Sequence, residues 1–268
     1  MRNCALIHPL HLELETALKM TPSQIIRIPI LPLGMVNSHL ILGEGGGILV
    51  DAGLPGSESK IEKVLTKHGL SFKDIKLIVV THAHVDHAGS AYALRELSRA
   101  PIVAHADDAK HFNRETQMTF CPTGWFGRLF LKTPLMYEPY KGFTPDILLS
   151  ENDTLDLSRY GIPGTIKHTP GHTAGSISVE LPSKDALVGD LLASGILLGG
   201  LIRTNHAKSP PFEDDPHTVG LTLQLLLDSG MERFYMGHGG PLAAREVQRH
   251  AQALMAKKQG GWHAETNG

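Results

Sequence analysis

The residues of this chain with the clearest chemical potential lie in the stretch Thr81–Gly89, which reads THAHVDHAG. Three histidines and one aspartate fall within six consecutive positions of it. Neutral imidazole and carboxylate are the usual ligands of zinc and similar divalent cations. With 16 histidines in the chain, a histidine-rich surface loop is the alternative. The alternation of His82 and His84, followed by the adjacent pair Asp86 and His87, favours a metal site.

The elements around this stretch predict where it lies. The apolar run Leu77–Val80 precedes it directly and predicts a buried strand. Three further candidate ligands, His172, Asp190 and His238, each come at or just after the end of another predicted strand. Because strand ends can converge on one edge of a sheet, where active sites commonly lie, we expect these side chains to form a single site.

The order of elements predicts the fold class. Short β-rich runs from Gln24 to Gly53, separated by glycine and proline, indicate an antiparallel meander. Helical patterns then alternate with strands, and strands resume between Ile147 and Asp190. Two more helices are expected near 215–227 and 243–257, on either side of a strand at 234–236. We therefore predict an α+β protein with two mixed sheets packed face to face and helices outside.

The chain is interpreted as a single domain over residues 1–268, with 1–20 as an N-terminal extension. Between about residues 107 and 146 the periodic pattern breaks down and most of the aromatic residues occur among prolines and glycines. This aromatic-rich segment is either a rigid helical insertion or a lid whose rings line a substrate pocket, and the two interpretations are compatible.

Composition narrows the function classes. A net charge of -2 means that the chain has no excess of positive charge with which to bind nucleic acid, so a small-molecule substrate is expected instead. No apolar run approaches the ~20 residues needed to span a bilayer. Only two cysteines, Cys4 and Cys121, are present, and the N-terminus shows no signal-peptide pattern. These features predict a cytoplasmic protein without membrane contact, and they leave the oligomeric state open.

Taken together, the motifs resemble those of the metallo-β-lactamase superfamily. The matching elements are Leu49–Gly53 (LVDAG), Thr81–Gly89, Thr169–Thr173 (TPGHT), Gly189–Asp190 and Gly237–His238, in that order. The resemblance extends from about Gln24 to His238. It implies a four-layer αβ/βα sandwich, in agreement with the pattern of strands and helices.

The resemblance also implies a ligand assignment for two divalent metal ions. The first ion would be bound by His82, His84 and His172, the second by Asp86, His87 and His238, and Asp190 would bridge them. Zinc is the first expectation, with iron or manganese as alternatives. Asp86 would also orient the nucleophile or carry its proton, which makes it the candidate catalytic residue.

The activity implied is that of a dinuclear hydrolase using a metal-bridging hydroxide, with a ligand set similar to that of glyoxalase II. The substrate would be an ester, thioester, lactone or amide of a small molecule. His84 replaces the glutamate of the diiron flavoproteins, and Ala193 replaces the tyrosine of the lactone-hydrolysing subgroup. Many true β-lactamases lack the aspartate that Asp190 supplies. A mononuclear iron sulfur dioxygenase, a β-lactamase and a phosphodiesterase remain alternatives.

Three further residues are candidates for supporting roles. Asp51 ends an apolar strand, where its carboxylate could accept a hydrogen bond from a ligand imidazole and fix the tautomer. His206 and His217 flank a proline-containing loop beyond Asp190 and are secondary candidates for a substrate or proton contact.

Overall fold

The strands of the computed structural model form two six-stranded sheets and one short hairpin, within the residues that it describes: 23–116, 118, 120–133, 139–196 and 201–256. The expected extension at 1–20 lies outside them. The strands of the first sheet are β1 (Gln24–Pro29), β2 (Asn37–Gly43), β3 (Gly46–Val50), β4 (Ile75–Val79), β5 (Ile102–His105) and β6 (Ile147–Leu149). The second sheet and the hairpin contain β7 (Thr154–Asp156), β8 (Thr165–His168), β9 (Ile177–Glu180), β10 (Asp185–Leu187), β11 (Ala193–Ser194), β12 (Ala207–Lys208), β13 (Arg233–Tyr235) and β14 (Leu242–Ala243).

Both sheets are mixed, as predicted. The first has the order β1-β2-β3-β4-β5-β6, and its β1–β3 meander is antiparallel while β3 to β6 run parallel. The second has the order β14-β13-β10-β9-β8-β7, in which only β10 and β13 are parallel. Strand β4 lies inside the parallel part and is buried on both faces, which accounts for its nearly continuous apolar sequence.

Seven α-helices accompany these sheets in the described part of the chain. They are α1 (Glu58–Lys67), α2 (Val85–Ala88), α3 (Ala91–Ser98), α4 (Ala109–Phe112), α5 (Gly124–Phe130), α6 (Pro216–Asp228) and α7 (Ala244–Ala256). Helix α6 begins where its sequence predicts, because Pro216 occupies the first turn and the Asp215 carboxylate accepts hydrogen bonds from the backbone of His217 and Thr218. None of the helices described is long and apolar enough to cross a membrane.

Three buried apolar clusters define four layers. The middle cluster lies between the sheets and joins residues such as Val79 of the first sheet to Val179 of the second. A second cluster packs α1 and α3 against the first sheet, through Leu65 and Leu94 among others. The third packs α6 and α7 against the second sheet. The structure is therefore the predicted αβ/βα sandwich, with helices covering the outer face of each sheet.

The aromatic-rich segment at 107–146 is partly described. Its described residues include the short helices α4 and α5. Its central part is joined to the strand-like stretch before α6, because Thr123 N–H donates to Pro211 O and Glu213 N–H donates to Cys121 O. Whether the segment moves as a lid stays a prediction.

Candidate metal centre

The predicted ligands lie on loops that leave the ends of four strands. His82 and His84 follow β4, and Asp86 and His87 lie in the short helix α2 that comes next. The other three candidates, His172, Asp190 and His238, follow β8, β10 and β13 of the second sheet. The structure brings all seven into two adjacent groups, which places them at a shared edge of the two sheets. Asp86 is the most exposed member, at 22%.

The first group contains His82, His84 and His172. The distance from His82 Nε2 to His84 Nδ1 is 3.0 Å, and His172 Nε2 lies 3.1 Å from each of these atoms. A zinc–imidazole bond is about 2.0–2.1 Å long, so three nitrogens at this spacing can all bind a single ion. The alternating histidines therefore face a common point, together with His172.

The second group contains Asp86, His87 and His238. Asp86 Oδ2 lies 3.4 Å from His238 Nε2 and 3.8 Å from His87 Nε2. One carboxylate and two imidazoles are a donor set that suits zinc and several other divalent metals.

Asp190 lies between the two groups. Its Oδ2 atom is 2.9 Å from His238 Nε2 and 3.9 Å from His172 Nε2, while its Oδ1 atom is 3.4 Å from His87 Nε2. It is only 4% exposed. A single carboxylate thus reaches ligands of both groups, which is the position that a bridging ligand requires.

Hydrogen bonds fix the tautomers of three histidines. His87 donates from Nδ1 to Asp51 Oδ2 at 2.8 Å, and His238 donates from Nδ1 to the Met35 carbonyl. The Thr81 hydroxyl donates to Asp51, so it accepts a hydrogen bond from His82 Nδ1. In each neutral ring the lone pair is then on Nε2, which points into the site.

Asp51 therefore has the role predicted for it, and it supports more than one imidazole. Besides His87, it binds the Thr81 backbone N–H and hydroxyl at 2.9 Å. Asp51 adopts a φ of 63°, a left-handed conformation that is costly for a non-glycine residue. The strong bonds to both carboxylate oxygens offset that cost and place Asp51 beside the metal groups.

Two buried polar atoms show that these residues fit a metal ion. His87 Nε2 and Asp190 Oδ1 face each other within the site, yet neither has a hydrogen-bond partner among the described residues. Leaving buried polar atoms unpaired is costly, and a divalent cation would satisfy both. Gly237 leaves the necessary room, because a Cβ atom there would lie 2.3 Å from His87 Cε1 and 2.4 Å from Asp190 Oδ1.

The two groups differ electrostatically when no ion is bound. Burial lowers the pKa of His84 to about 4 and holds the pKa values of His82 and His172 well below the usual range. In the second group burial also opposes the charged imidazole, but the Asp190 charge outweighs it and raises the pKa of His238 to about 9. The carboxylates Asp190, Asp51 and Asp86 raise the pKa of His87 in the same way.

These opposite shifts predict that the metal-free protein is most stable near pH 6.5. A raised pKa means that the contribution of His238 is fully present below its ordinary value of 6.5 and is lost as pH rises through about 9. The lowered pKa of His84 means that its contribution is lost as pH falls from 6.5 towards about 4. In thermal unfolding of chelator-treated protein between about pH 4 and pH 9, the unfolding midpoint should be highest near pH 6.5. A midpoint that kept rising to pH 9 would contradict it, and the metal-loaded protein is the control.

One carboxylate near the site was not found from the sequence. Asp108, in the turn after β5, accepts hydrogen bonds from backbone groups of two ligand-bearing loops. Its position in the sequence, within an Asp-Asp pair shortly before a lysine, resembles an ordinary solvated turn, so only the tertiary structure reveals it. Of the secondary candidates, His206 is exposed and forms an ion pair with Glu246 at 2.9 Å instead of entering either metal group.

Comparison with known proteins agrees with this geometry. The model of the metallo-beta-lactamase superfamily matches residues 31–238. The chain is 29% identical over 209 residues to the "Probable metallo-hydrolase MJ0888" of Methanocaldococcus jannaschii, covering 76% of this chain and 87% of that protein. It is 25% identical over 240 residues to the human "Acyl-coenzyme A thioesterase MBLAC2", covering 82% of this chain and 79% of that protein.

Solved structures show the same architecture. The metallo-beta-lactamase family protein TTHA1429 of Thermus thermophilus superposes with a TM-score of 0.62 at 25% identity, covering 88% of this chain and 79% of that one. ST1585, an archaeal superfamily protein from Sulfolobus tokodaii, superposes with a TM-score of 0.61 at 19% identity and covers 91% of each chain. The family match, the relatives and the two metal-competent groups lead to one conclusion: this chain is a metal-dependent hydrolase that belongs to the metallo-beta-lactamase superfamily.

Proposed function

We propose that this protein is a dinuclear hydrolase that cleaves the acyl bond of a small ester, thioester, lactone or amide. The observation that carries the proposal is the position of Asp190, whose two oxygens lie 2.9 Å and 3.4 Å from the second group and 3.9 Å from the first. Two divalent cations, most simply zinc, would supply hydroxide at neutral pH by lowering the pKa of a shared water and would polarise the scissile carbonyl. His82, His84 and His172 would hold one ion, and Asp86, His87 and His238 the other.

The residues of the chain divide the remaining work between them. Asp190 would set the spacing of the two metal positions from its buried place between the groups. Asp86 is the most solvent-accessible ligand, at 22%, so its carboxylate can also orient the nucleophile and accept a proton. Asp51 keeps His87 in the tautomer with a free Nε2, since the Nδ1 proton is held at 2.8 Å.

An apolar wall beside the first group supports a substrate with an apolar acyl portion. The ring of Phe120 lies 5.1 Å from the His84 ring, and the ring of Phe212 lies 5.1 Å from Phe120 and 6.5 Å from His84. Phe120 comes from the aromatic-rich segment and Phe212 from the stretch before α6. The similarity to a human protein named as an acyl-coenzyme A thioesterase favours a thioester among the possible acyl compounds.

The proposal is tested by a substrate panel with metal-replete protein of known metal content. We expect turnover of at least one ester, thioester, lactone or amide, strongest for thioesters, and little turnover of β-lactams or phosphodiesters. A panel in which only a phosphodiester or a β-lactam is hydrolysed would contradict the proposed substrate class. If the protein instead consumed oxygen with a persulfide substrate and bound a single iron, the result would show a sulfur dioxygenase and not a hydrolase.

The aromatic wall leads to a specific prediction for Phe120→Ala. Removing a ring that contacts the acyl chain should lower kcat/KM for a long-chain or aromatic acyl thioester by about tenfold, because a few lost apolar contacts are worth about 1–3 kcal/mol. The acetyl thioester should change little, and metal content should stay near that of the unaltered protein. Leu225→Ala, on the exposed face of α6, is the matched control. Equal losses on short and long acyl chains would contradict an acyl-binding role.

A further inference from the structure

Asp108 is a buried carboxylate that touches neither metal group but binds both loops of the first one. It lies in the turn that follows β5 and is 2% exposed. Its Oδ2 atom accepts hydrogen bonds from the Ala83 backbone N–H and the Thr173 hydroxyl, both at 3.0 Å. Its Oδ1 atom accepts a third from the Gly175 N–H, also at 3.0 Å. All three donors are therefore held by one side chain.

These donors are placed between and beside the ligands of the first group. Ala83 separates His82 from His84 on the loop after β4, and Thr173 follows His172 on the loop after β8. The two loops belong to different sheets. The distance between the two loops decides whether His172 Nε2 can lie 3.1 Å from both His82 Nε2 and His84 Nδ1. The Asp108 carboxylate spans that separation.

The turn that carries Asp108 is itself anchored to the second loop. The ring of His105, at the end of β5, stacks on the ring of His168, at the end of β8, with 3.8 Å between centroids and 12° between planes. His105 Nδ1 accepts a hydrogen bond from the Asp107 backbone N–H, which shapes the turn. Two parallel stacked rings cannot both direct an in-plane lone pair at one ion, so this histidine pair acts as an anchor and not as a third metal site.

Gly175 shows how closely the second loop approaches the turn. A Cβ atom at this position would lie 2.7 Å from the Asp108 backbone nitrogen, Cγ and Oδ1. Contacts this short would force the carboxylate or the loop to move. Gly175 has no need of a positive φ, so the effect of a substitution would come from the collision alone.

The second group has a support of a different kind. Asp51 binds His87 directly, and it reaches His82 only through Thr81. Asp108 has no contact with Asp86, His87 or His238 among its hydrogen bonds. The two buried carboxylates thus act on different parts of the centre.

We propose that Asp108 is a positioning residue that sets the affinity of the first metal position, by holding the loop of His82 and His84 at a fixed distance from the loop of His172. The proposal rests on the metal-binding part of the proposed function and not on the substrate. Substituting a residue that orients metal ligands typically weakens metal binding by about 10–100-fold.

Three variants separate this role from a general structural one. Asp108→Asn keeps one acceptor oxygen, which can still serve Ala83 and Thr173, and loses the acceptor for the Gly175 N–H. Asp108→Ala loses all three bonds. Gly175→Ala leaves Asp108 intact but displaces it. Asp156→Asn is the matched control, because Asp156 also accepts hydrogen bonds within a turn, from Ser158, but is exposed and makes these hydrogen bonds away from the ligand-bearing loops.

The experiment measures two zinc dissociation constants for each folded variant, by competition with a chromophoric chelator, alongside thermal unfolding. His172→Ala and His238→Ala identify which constant belongs to which position. We expect the first position to weaken by about tenfold in Asp108→Asn, by about 100-fold in Asp108→Ala and comparably in Gly175→Ala. The second position should stay within about threefold of the unaltered protein in every case, and Asp156→Asn should alter neither constant.

Two results would overturn the proposal. An unchanged first position in folded Asp108→Asn and Gly175→Ala would show that the loops keep their spacing without the carboxylate. Equal weakening of both positions would show a general structural role. If the unaltered protein had no zinc position that depends on His172, the proposed function would fail together with this inference, whereas an intact position insensitive to Asp108 would overturn this inference alone.

Discussion

Replacing Asp190 with alanine should lower kcat/KM by at least about 10³-fold and reduce the metal content at the same time. Among the described residues, this carboxylate is the acidic group whose oxygens reach both sets of imidazoles, at 2.9 Å from His238 and 3.9 Å from His172. Without it, His87 and His238 also lose one of the negative charges that face them, although Asp86 remains near both. A loss of about 4 kcal/mol of transition-state stabilisation corresponds to a factor of about 10³.

Metal analysis and steady-state kinetics on the same preparation check this result. Asp190→Asn keeps the shape and one acceptor oxygen but removes the charge, so it should retain more metal than the alanine variant while remaining poorly active. Asp228→Ala, which removes a carboxylate from the exposed end of α6, should behave as the unaltered protein. An Asp190→Ala protein with two metals and full activity would disprove the bridging role.

Replacing His172 with alanine should mainly empty the first metal position. The remaining ligands are His82 and His84, whose nitrogens lie 3.0 Å apart, and the Asp190 carboxylate that is shared with the second position, so the first position loses one of its three imidazoles. The second group keeps Asp86, His87 and His238, so close to one ion per chain should remain. We expect kcat/KM to fall by about 10²-fold or more, since polarisation of the carbonyl by the first ion is worth several kcal/mol.

The control for this variant is His206→Ala, because His206 is an exposed histidine engaged with Glu246. It should retain both metals and full activity. Restoration of turnover in His172→Ala by added imidazole would further assign the defect to the missing ligand. Complete loss of both metals would show instead that the two positions fill only together, in which case the separate assignment of ligands would be wrong.

Much of this site could be predicted because its chemistry is encoded locally. His82, His84, Asp86 and His87 are neighbours in the chain, and β4 before them has a nearly continuous apolar sequence. The remaining ligands each follow a strand, and strand ends are visible in the pattern of apolar runs and glycines. Helix bounds were also close: the helix expected near 215–227 is α6, Pro216–Asp228.

Apart from Asp51, the supporting residues could not be predicted in the same way. Asp108 lies 25 residues from Ala83 and 65 from Thr173 along the chain, so its role exists only after β5 and β8 have come together. The stack of His105 on His168 has the same origin. Both depend on the packing of two sheets, and neither position is marked by a local spacing rule. Phe120 and Phe212 likewise meet only through tertiary pairing, although a pocket lined by the aromatic-rich segment was one of the two interpretations of the sequence.

The central claim is that two ions, held by two groups that share Asp190, carry out hydrolysis. Its most direct test is a zinc titration of the metal-free protein in which bound metal and turnover of an acyl thioester are measured in the same samples. We predict that binding saturates at two zinc ions per chain and that turnover reaches its plateau only with the second equivalent. A plateau at one ion, with the second binding without effect or not at all, would contradict the claim.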